Sequence, residues 1–198
     1  IDEKTCIGCK KCEKICPVLN KSVCASGDEG YPEALAGYAL DPENRRLSSS
    51  GGIFTALSLQ ILEKNGVVVG AAFDKHFNVE HIIVKSKEEL FKLRGSKYVQ
   101  SDISGCYEKV KELVQRGTLV LFSGTPCQIE ALRAILGKTY DNLILVDIVC
   151  HGVTSNRVWQ QYLYWQKAKY NADLVNVNFR DKCSGWNKFS LSLTFEDG

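Results

Sequence analysis

Four cysteines crowd the start of the chain. In CIGCKKCEKICP, Cys6, Cys9, Cys12 and Cys16 are spaced C-x2-C-x2-C-x3-C, and Pro17 follows the last. Thiolates are soft, charged ligands that suit iron, and two-residue gaps let three of them wrap one cubane cluster from a single loop. Gly8 permits the tight turn such a loop needs. Zinc usually takes two well-separated ligand pairs, which this run does not offer. The chemistry expected here is one-electron transfer through a 4Fe–4S cluster.

The run resembles bacterial-type 4Fe–4S ferredoxins. In two-cluster members the cysteine before proline ligates the other cluster. By that resemblance Cys6, Cys9 and Cys12 bind one cluster, and Cys16 either serves a second or closes the first locally. Cys24 is a spare ligand or a small loop residue.

Four further stretches place Gly, Ser, Cys or His at element boundaries. They are SSSGGIFTAL (48–57), RGSKYVQSD (94–102), SGTPCQIEALR (123–133) and DIVCHGV (147–153). Gly51-Gly52 at a helix start frees backbone N–H groups to approach an anion. The plainer reading makes Ser48–Ser50 turn and capping residues. Lys97 can pair with phosphate or flavin and Tyr98 can stack on a ring; alternatively both lie in a solvated loop. Pro126 suits a first helical turn, so Cys127 falls at a helix N-terminus, where a thiolate is stabilised. Three readings of Cys127 stay open: a buried small residue, a nucleophile with His151 as base, or a metal ligand. Cys150 adjoins His151 at the end of another apolar run. If the two preceding strands are parallel neighbours, both cysteines emerge at one sheet edge, where open α/β sheets bind ligands.

The elements that must position these groups alternate from residue 48 onward. IFTALSLQILEKNG keeps helical spacing through Phe54, Leu57, Ile61 and Leu62 and stops at Gly66. VVVGAAF (67–73) and VEHIIVK (79–85), joined by DKHFN, predict a hairpin. Ser86 and Glu89 make a capping-box signature before ELFKL. A helix is expected near 105–116, with Tyr107, Val110, Leu113 and Val114 on one face. TLVLF (118–122) and LILVDIV (143–149) read as buried strands. Another helix runs from about 126 to 136, and Val158, Trp159, Tyr162 and Leu163 mark a long one. Strands are expected near 174–180 and in KFSLSLTF. The fold class is α/β, with α+β as the alternative: a mixed sheet flanked by helices behind a small ferredoxin-like half-domain. The expected division is a cluster segment over 1–24, a linker over 25–47 and a cofactor domain over 48–198.

Composition narrows the function classes. The 198 residues carry a formal charge of +2, which gives no reason to expect nucleic acid or an anionic membrane surface. No apolar run approaches the roughly 18 residues of a membrane span. Nine cysteines, five of them before residue 25 in tight spacing and four spread among long periodic elements, suit metal in a reduced cytoplasmic setting better than a disulfide framework. Methionine is absent even at position 1, so a longer parent chain is expected.

In order and wording, CIGCKKCEKICP, SSSGGIFTAL, LRGSKYVQSD, LFSGTPCQIEALR, DIVCHGV and GWNKFSLSLTF resemble the beta subunits of coenzyme F-420 hydrogenases and dehydrogenases. The wording is most like a bacterial branch encoded among exopolysaccharide genes. The resemblance covers nearly the whole chain and implies an iron–sulfur flavoprotein with FAD in the larger domain. It places Ser50, Gly51, Gly52, Gly95, Ser96, Lys97 and Tyr98 along the cofactor, with Ser123 and Thr125 as further candidates. It also implies a cluster in the flavin domain, ligated by Cys127, Cys150 and a C-x2-C pair beyond residue 198. Cys106 and Cys183 lack that spacing and read as ordinary thiols. The implied partners are a redox protein or ferredoxin and a small-molecule hydride acceptor, a deazaflavin in the family's best-known case. No side chain stands out as the catalytic proton donor; His151 and Lys97 are the candidates. Two alternatives remain: a non-catalytic electron-transfer or adapter protein, and a transferase or hydrolase built on Cys127 and His151.

Overall fold

The computed structural model describes residues 4–14, 16, 19 and 33–196. Cys24 and the first part of the expected linker, 25–32, lie outside them. In the described part of the cysteine run, Lys11–Lys14 form a short helix, α1. The stretch expected as linker carries a second short helix, α2 (Pro42–Leu47). Asp41 caps it by accepting from the Glu43 N–H at 3.0 Å, and Pro42 occupies the first turn.

A four-stranded mixed sheet forms the centre. Its strands are β1 (Val67–Phe73), β2 (Val79–Val84), β3 (Val120–Gly124) and β4 (Leu143–Asp147), in the order β2-β1-β3-β4. β1 and β2 make the expected antiparallel hairpin. Its loop is tied by Asp74, whose Oδ1 accepts the N–H groups of His76 and Asn78, both at 2.8 Å. β1 pairs parallel with β3, and β3 with β4.

Strand periodicity sends alternate residues to opposite faces. Val67, Val69, Val120 and Phe122 pack against α4 (Cys106–Gln115) and α5 (Pro126–Leu136) through Val110, Val114, Ile129, Leu132 and Leu136. Val68, Ala72, Val84 and Leu121 pack on the other side against Ile61 and Leu62 of α3 (Ile53–Glu63) and against Leu90 and Leu93. A third cluster joins the hairpin to α6 (Asn156–Tyr170) and to an antiparallel pair, β5 (Leu174–Asp181) and β6 (Ser190–Phe195). Trp159 is its centre and donates its indole N–H to the Phe77 carbonyl at 2.8 Å.

Two expectations are corrected. The Ser86/Glu89 signature does not start an α-helix; Leu90–Leu93 is a single 3-10 turn. The i, i+3 repeat of that turn brings Leu90 and Leu93 to one side, and both are buried against the sheet. LILVDIV is not a buried strand. β4 lies at the sheet edge, so Ile144 is exposed, and Ile148 and Val149 lie beyond the strand in solvent.

Candidate ligand edge and cysteine sites

The parallel strands end on one edge, and the motifs gather there. β3 and β4 stay paired to the rung Gly124–Asp147, and Ile148 N–H donates to the Gly124 carbonyl at 3.1 Å. Cys127 and Cys150 each follow that rung by three residues. The two strands are thus parallel neighbours, as the sheet-edge argument required. Both thiols are free and exposed. Cys127 lies 3.2 Å from Thr125 Oγ1, and Cys150 accepts the Gly152 N–H at 3.4 Å.

Thr125-Pro-Cys-Gln128 is a capping box, a signal the motif carried but the sequence reading passed over. Gln128 Oε1 accepts the Thr125 N–H at 2.9 Å. The conformation of Thr125 therefore has a local cause. His151 is exposed, and no hydrogen bond joins it to Cys127 among the described residues. Among the described residues the one side chain hydrogen-bonded to the Cys127 thiol is thus Thr125.

β1 leaves β3 early: their pairing stops at Val69–Phe122, while β3 continues with β4. The imidazole of His81, from β2, fills the split. It stacks on Phe122 with ring centroids 5.4 Å apart. Its Nε2 lies 3.1 Å from the Ser123 carbonyl, and its Nδ1 makes a short contact with Ser101 Oγ. A carbonyl only accepts, so Nε2 carries the proton and Nδ1 accepts from the serine hydroxyl. Burial first, and then the charge of Lys97, hold the imidazole below its usual pKa, despite the Ser123 carbonyl. His81 was missed by the sequence reading. Its signal was a polar residue two positions before Ile83, on the inward side of an alternating strand.

Lys97 faces the same place. Its ammonium donates to the carbonyls of Arg94 (2.9 Å) and Gly95 (3.2 Å) and lies 5.8 Å from the centre of the Phe73 ring. Burial pulls its pKa down to about 8. Gly95 has φ +82°, and a Cβ there would meet open space, so glycine is required by the backbone turn rather than by crowding. Tyr98 sets its ring edge-on to Phe179 at 5.5 Å and remains exposed.

The loops 48–52 and 94–98 are brought together. Ser49 Oγ accepts from the Ser96 N–H at 2.8 Å and lies 3.0 Å from Ser96 Oγ. Ser50 is exposed beside them. Gly51 and Gly52 have a packing reason. A Cβ on Gly51 would lie 2.8 Å from the Gly37 carbonyl, and one on Gly52, at φ +87°, 3.0 Å from Ala39 Cβ. They let the 37–39 segment lie against the start of α3.

In the cysteine run, Gly8 and Lys10 have φ of +66° and +57°, and the Gly8 N–H donates to Cys6 Sγ at 3.4 Å. Cys6, Cys9 and Cys12 are exposed free thiols and Cys16 is half-buried. Among the described residues no three His, Cys, Asp or Glu side chains are gathered as a metal ion would require. The donor set nonetheless fits iron–sulfur ligation, because the thiols are unpaired, close in sequence and carried by a turning loop. Gathering such ligands is commonly the work of the metal itself. Cys106 is buried in the core, where burial pushes its thiol up to about 11; Cys183 is exposed and beside Ser184. Two shallow hollows, about 280 and 290 Å³, lie elsewhere, one beside Lys10 and Leu19 and one beside Ile83 and Leu113. No described helix is long and apolar enough to cross a membrane.

A mixed sheet with helices on both faces, a populated strand edge and a C-x2-C-x2-C-x3-C run describes a protein of the iron–sulfur redox class. Residues 34–107 match the family model for the N-terminal part of the coenzyme F420 hydrogenase/dehydrogenase beta subunit, and residues 117–197 match the model for its C-terminal part. Residues 1–19 match the 4Fe-4S binding domain. The chain belongs to the coenzyme F420 hydrogenase/dehydrogenase beta-subunit family. Among solved structures it resembles a chain of the xenon-derivatised F420-reducing [NiFe] hydrogenase complex from Methanosarcina barkeri. The TM-score is 0.53 at 20% identity, over 81% of this chain and 56% of that one. The likeness shows the α/β fold, and the chain spans little more than half the length of its structural relative. No match was found among curated proteins.

Proposed function

We propose that the chain is the electron-transferring, flavin-carrying part of an iron–sulfur oxidoreductase. The observation that supports this most is the meeting of loops 48–52 and 94–98 through Ser49 and Ser96, next to Val99, which bridges to Thr154 four residues past Cys150. Residues 1–24 are the cluster segment, 25–47 the connection and 48–198 the cofactor domain. Cys6, Cys9 and Cys12 hold a 4Fe–4S cluster. Cys16 closes it or serves a second one, and Cys127 and Cys150 contribute to a further cluster.

FAD lies along Ser50, Gly95, Ser96, Lys97 and Tyr98, with Gly51 and Gly52 shaping the loop behind it. When bound, the clusters carry single electrons and the flavin pairs them for hydride exchange with an organic acceptor, coenzyme F420 being the one the family is named for. The protein's own residues orient and shield. Lys97 presents an amine that is close to its titration point in the alkaline range, and His81 keeps the strand split closed to water. The redox partner is a ferredoxin or another protein of the same complex. Cytoplasmic placement follows from the reduced thiols such chemistry needs.

The test is anaerobic reconstitution of the protein with iron, sulfide and FAD, followed by metal, sulfide and flavin counts and a visible spectrum. Bound flavin together with cluster absorption is expected. Cluster without flavin would replace this reading with an electron-transfer adapter. Neither would overturn it.

A further inference from the structure

The end of β5 carries cations that the flavin reading did not use. Lys182 donates from Nζ to the Ser48 carbonyl in a short contact, although the two residues are far apart in sequence. It therefore reaches the same loop that Ser49 ties to Ser96. Arg180 is close enough to Lys182 that its charge, after burial, helps to lower the lysine's pKa. Phe179, between the strand and the 94–98 loop, touches both Phe73 (6.3 Å) and Tyr98 (5.5 Å). Lys97 lies over that same Phe73. The end of β5 and the 94–98 loop thus both reach the 48–50 loop, the one through Lys182 at Ser48 and the other through Ser96 at Ser49.

These cations lack anionic partners. None of them, and not Arg94, is in a salt bridge among the described residues. The nearby carboxylates are engaged elsewhere: Asp181 accepts from Ser192 Oγ and the Cys183 N–H, and Glu43 pairs with Arg46 while its charge also reaches Arg94. Of the four buried side-chain polar atoms left without a hydrogen bond among the described residues, two are the Nε of Arg94 and the Nε of Arg180. Buried donors without acceptors are costly, and an anion is the group that satisfies a guanidinium. The cations are also held in place. Lys182 Nζ lies 3.6 Å from the centre of the Trp186 ring, and the Arg180 guanidinium 4.2 Å from that of Phe189.

We propose that Arg180 and Lys182 form a cationic shelf that binds the phosphoryl oxyanions of the nucleotide cofactor, with Trp186 and Phe189 packed against the two cations. This rests on the flavin reading for the source of the phosphate, while the shelf itself rests on the unpaired cations. Like charges this close repel, and a doubly charged pyrophosphate relieves that repulsion where a neutral ligand does not.

Calorimetric titration of the purified protein with pyrophosphate, FAD and riboflavin tests it. Lys182→Met is expected to weaken pyrophosphate and FAD about tenfold or more, as loss of a charge-assisted bond implies, and to leave riboflavin binding unchanged. Lys182→Arg, which keeps the charge, should stay within about threefold of wild type, so a folding defect cannot imitate the result. FAD binding that is indifferent to Lys182→Met overturns the shelf and leaves the flavin reading standing. An equal loss for riboflavin overturns it too. Pyrophosphate binding that depends on Lys182, without any flavin binding, upholds the shelf and removes the flavin as the phosphate source. Binding of none of the three ligands overturns both.

Discussion

Replacing Lys97 with methionine should stabilise the protein at neutral pH and destabilise it at high pH. Burial lowers the Lys97 pKa from 10.5 to about 8. Holding the ammonium in the fold below pH 8 therefore costs at most about 3 kcal/mol. The amine also makes two hydrogen bonds, to the Arg94 and Gly95 carbonyls, which contribute about 1 kcal/mol each. Methionine removes the charge and both bonds while keeping an unbranched apolar stem against Phe73. At pH 7 the balance favours Lys97→Met by about 1 kcal/mol. Between pH 8 and pH 10.5 the folded protein has already released the proton that the unfolded chain still binds, so wild-type stability gains relative to the variant as pH rises. Above pH 10.5 the lysine is neutral in both states, only the lost hydrogen bonds count, and the variant is the less stable by about 2 kcal/mol. Urea denaturation of both proteins without flavin, at pH 7, 9 and 10.5, measures the difference directly. Taking the difference cancels Cys106 and Tyr107, whose pKa values are raised and whose titration acts in the opposite direction. A difference that keeps one sign across that range would refute the burial argument.

His81→Gln should lose about 1–2 kcal/mol at pH 7, because the ring leaves the strand split, while flattening the acid side of the stability profile. In wild type that side falls as pH drops below 6.5, where the unfolded chain binds a proton that the buried imidazole resists; thermal melts from pH 5 to 7 check this. Thr125→Ala should lower the urea midpoint by an amount corresponding to about 1 kcal/mol, since it removes the helix cap of α5. Gly51→Ala should cost about 1–3 kcal/mol, because its Cβ meets the Gly37 carbonyl at 2.8 Å. In reconstituted full-length protein, with the expected C-x2-C pair beyond residue 198, Cys127→Ala and Cys150→Ala should each lower iron content, and the double variant should lose no more than the larger single loss; unchanged iron in both would remove them as ligands.

What the chain determines locally was legible in its sequence. The hairpin of β1 and β2, the bounds of α5 with Pro126 at its start and Gly137 after its end, and the cysteine spacing all follow from periodicity, caps and ligand geometry within a few residues. The parallel pairing of β3 and β4 was a conditional inference, and the register confirmed it at Gly124–Asp147. LILVDIV misled because an apolar run fits an edge strand as well as a central one, and only sheet order separates them. The capping-box signature at Ser86 misled because local propensity yielded to burial of Leu90 and Leu93. Tertiary structure alone decided what meets at the ligand edge. Ser49 reaches Ser96, His81 crosses to Ser123, and Lys182 returns to Ser48 from more than a hundred residues away. No local pattern encodes such meetings, because each depends on where β1 leaves β3 and on how the β5–β6 pair packs against Phe73 and Trp159.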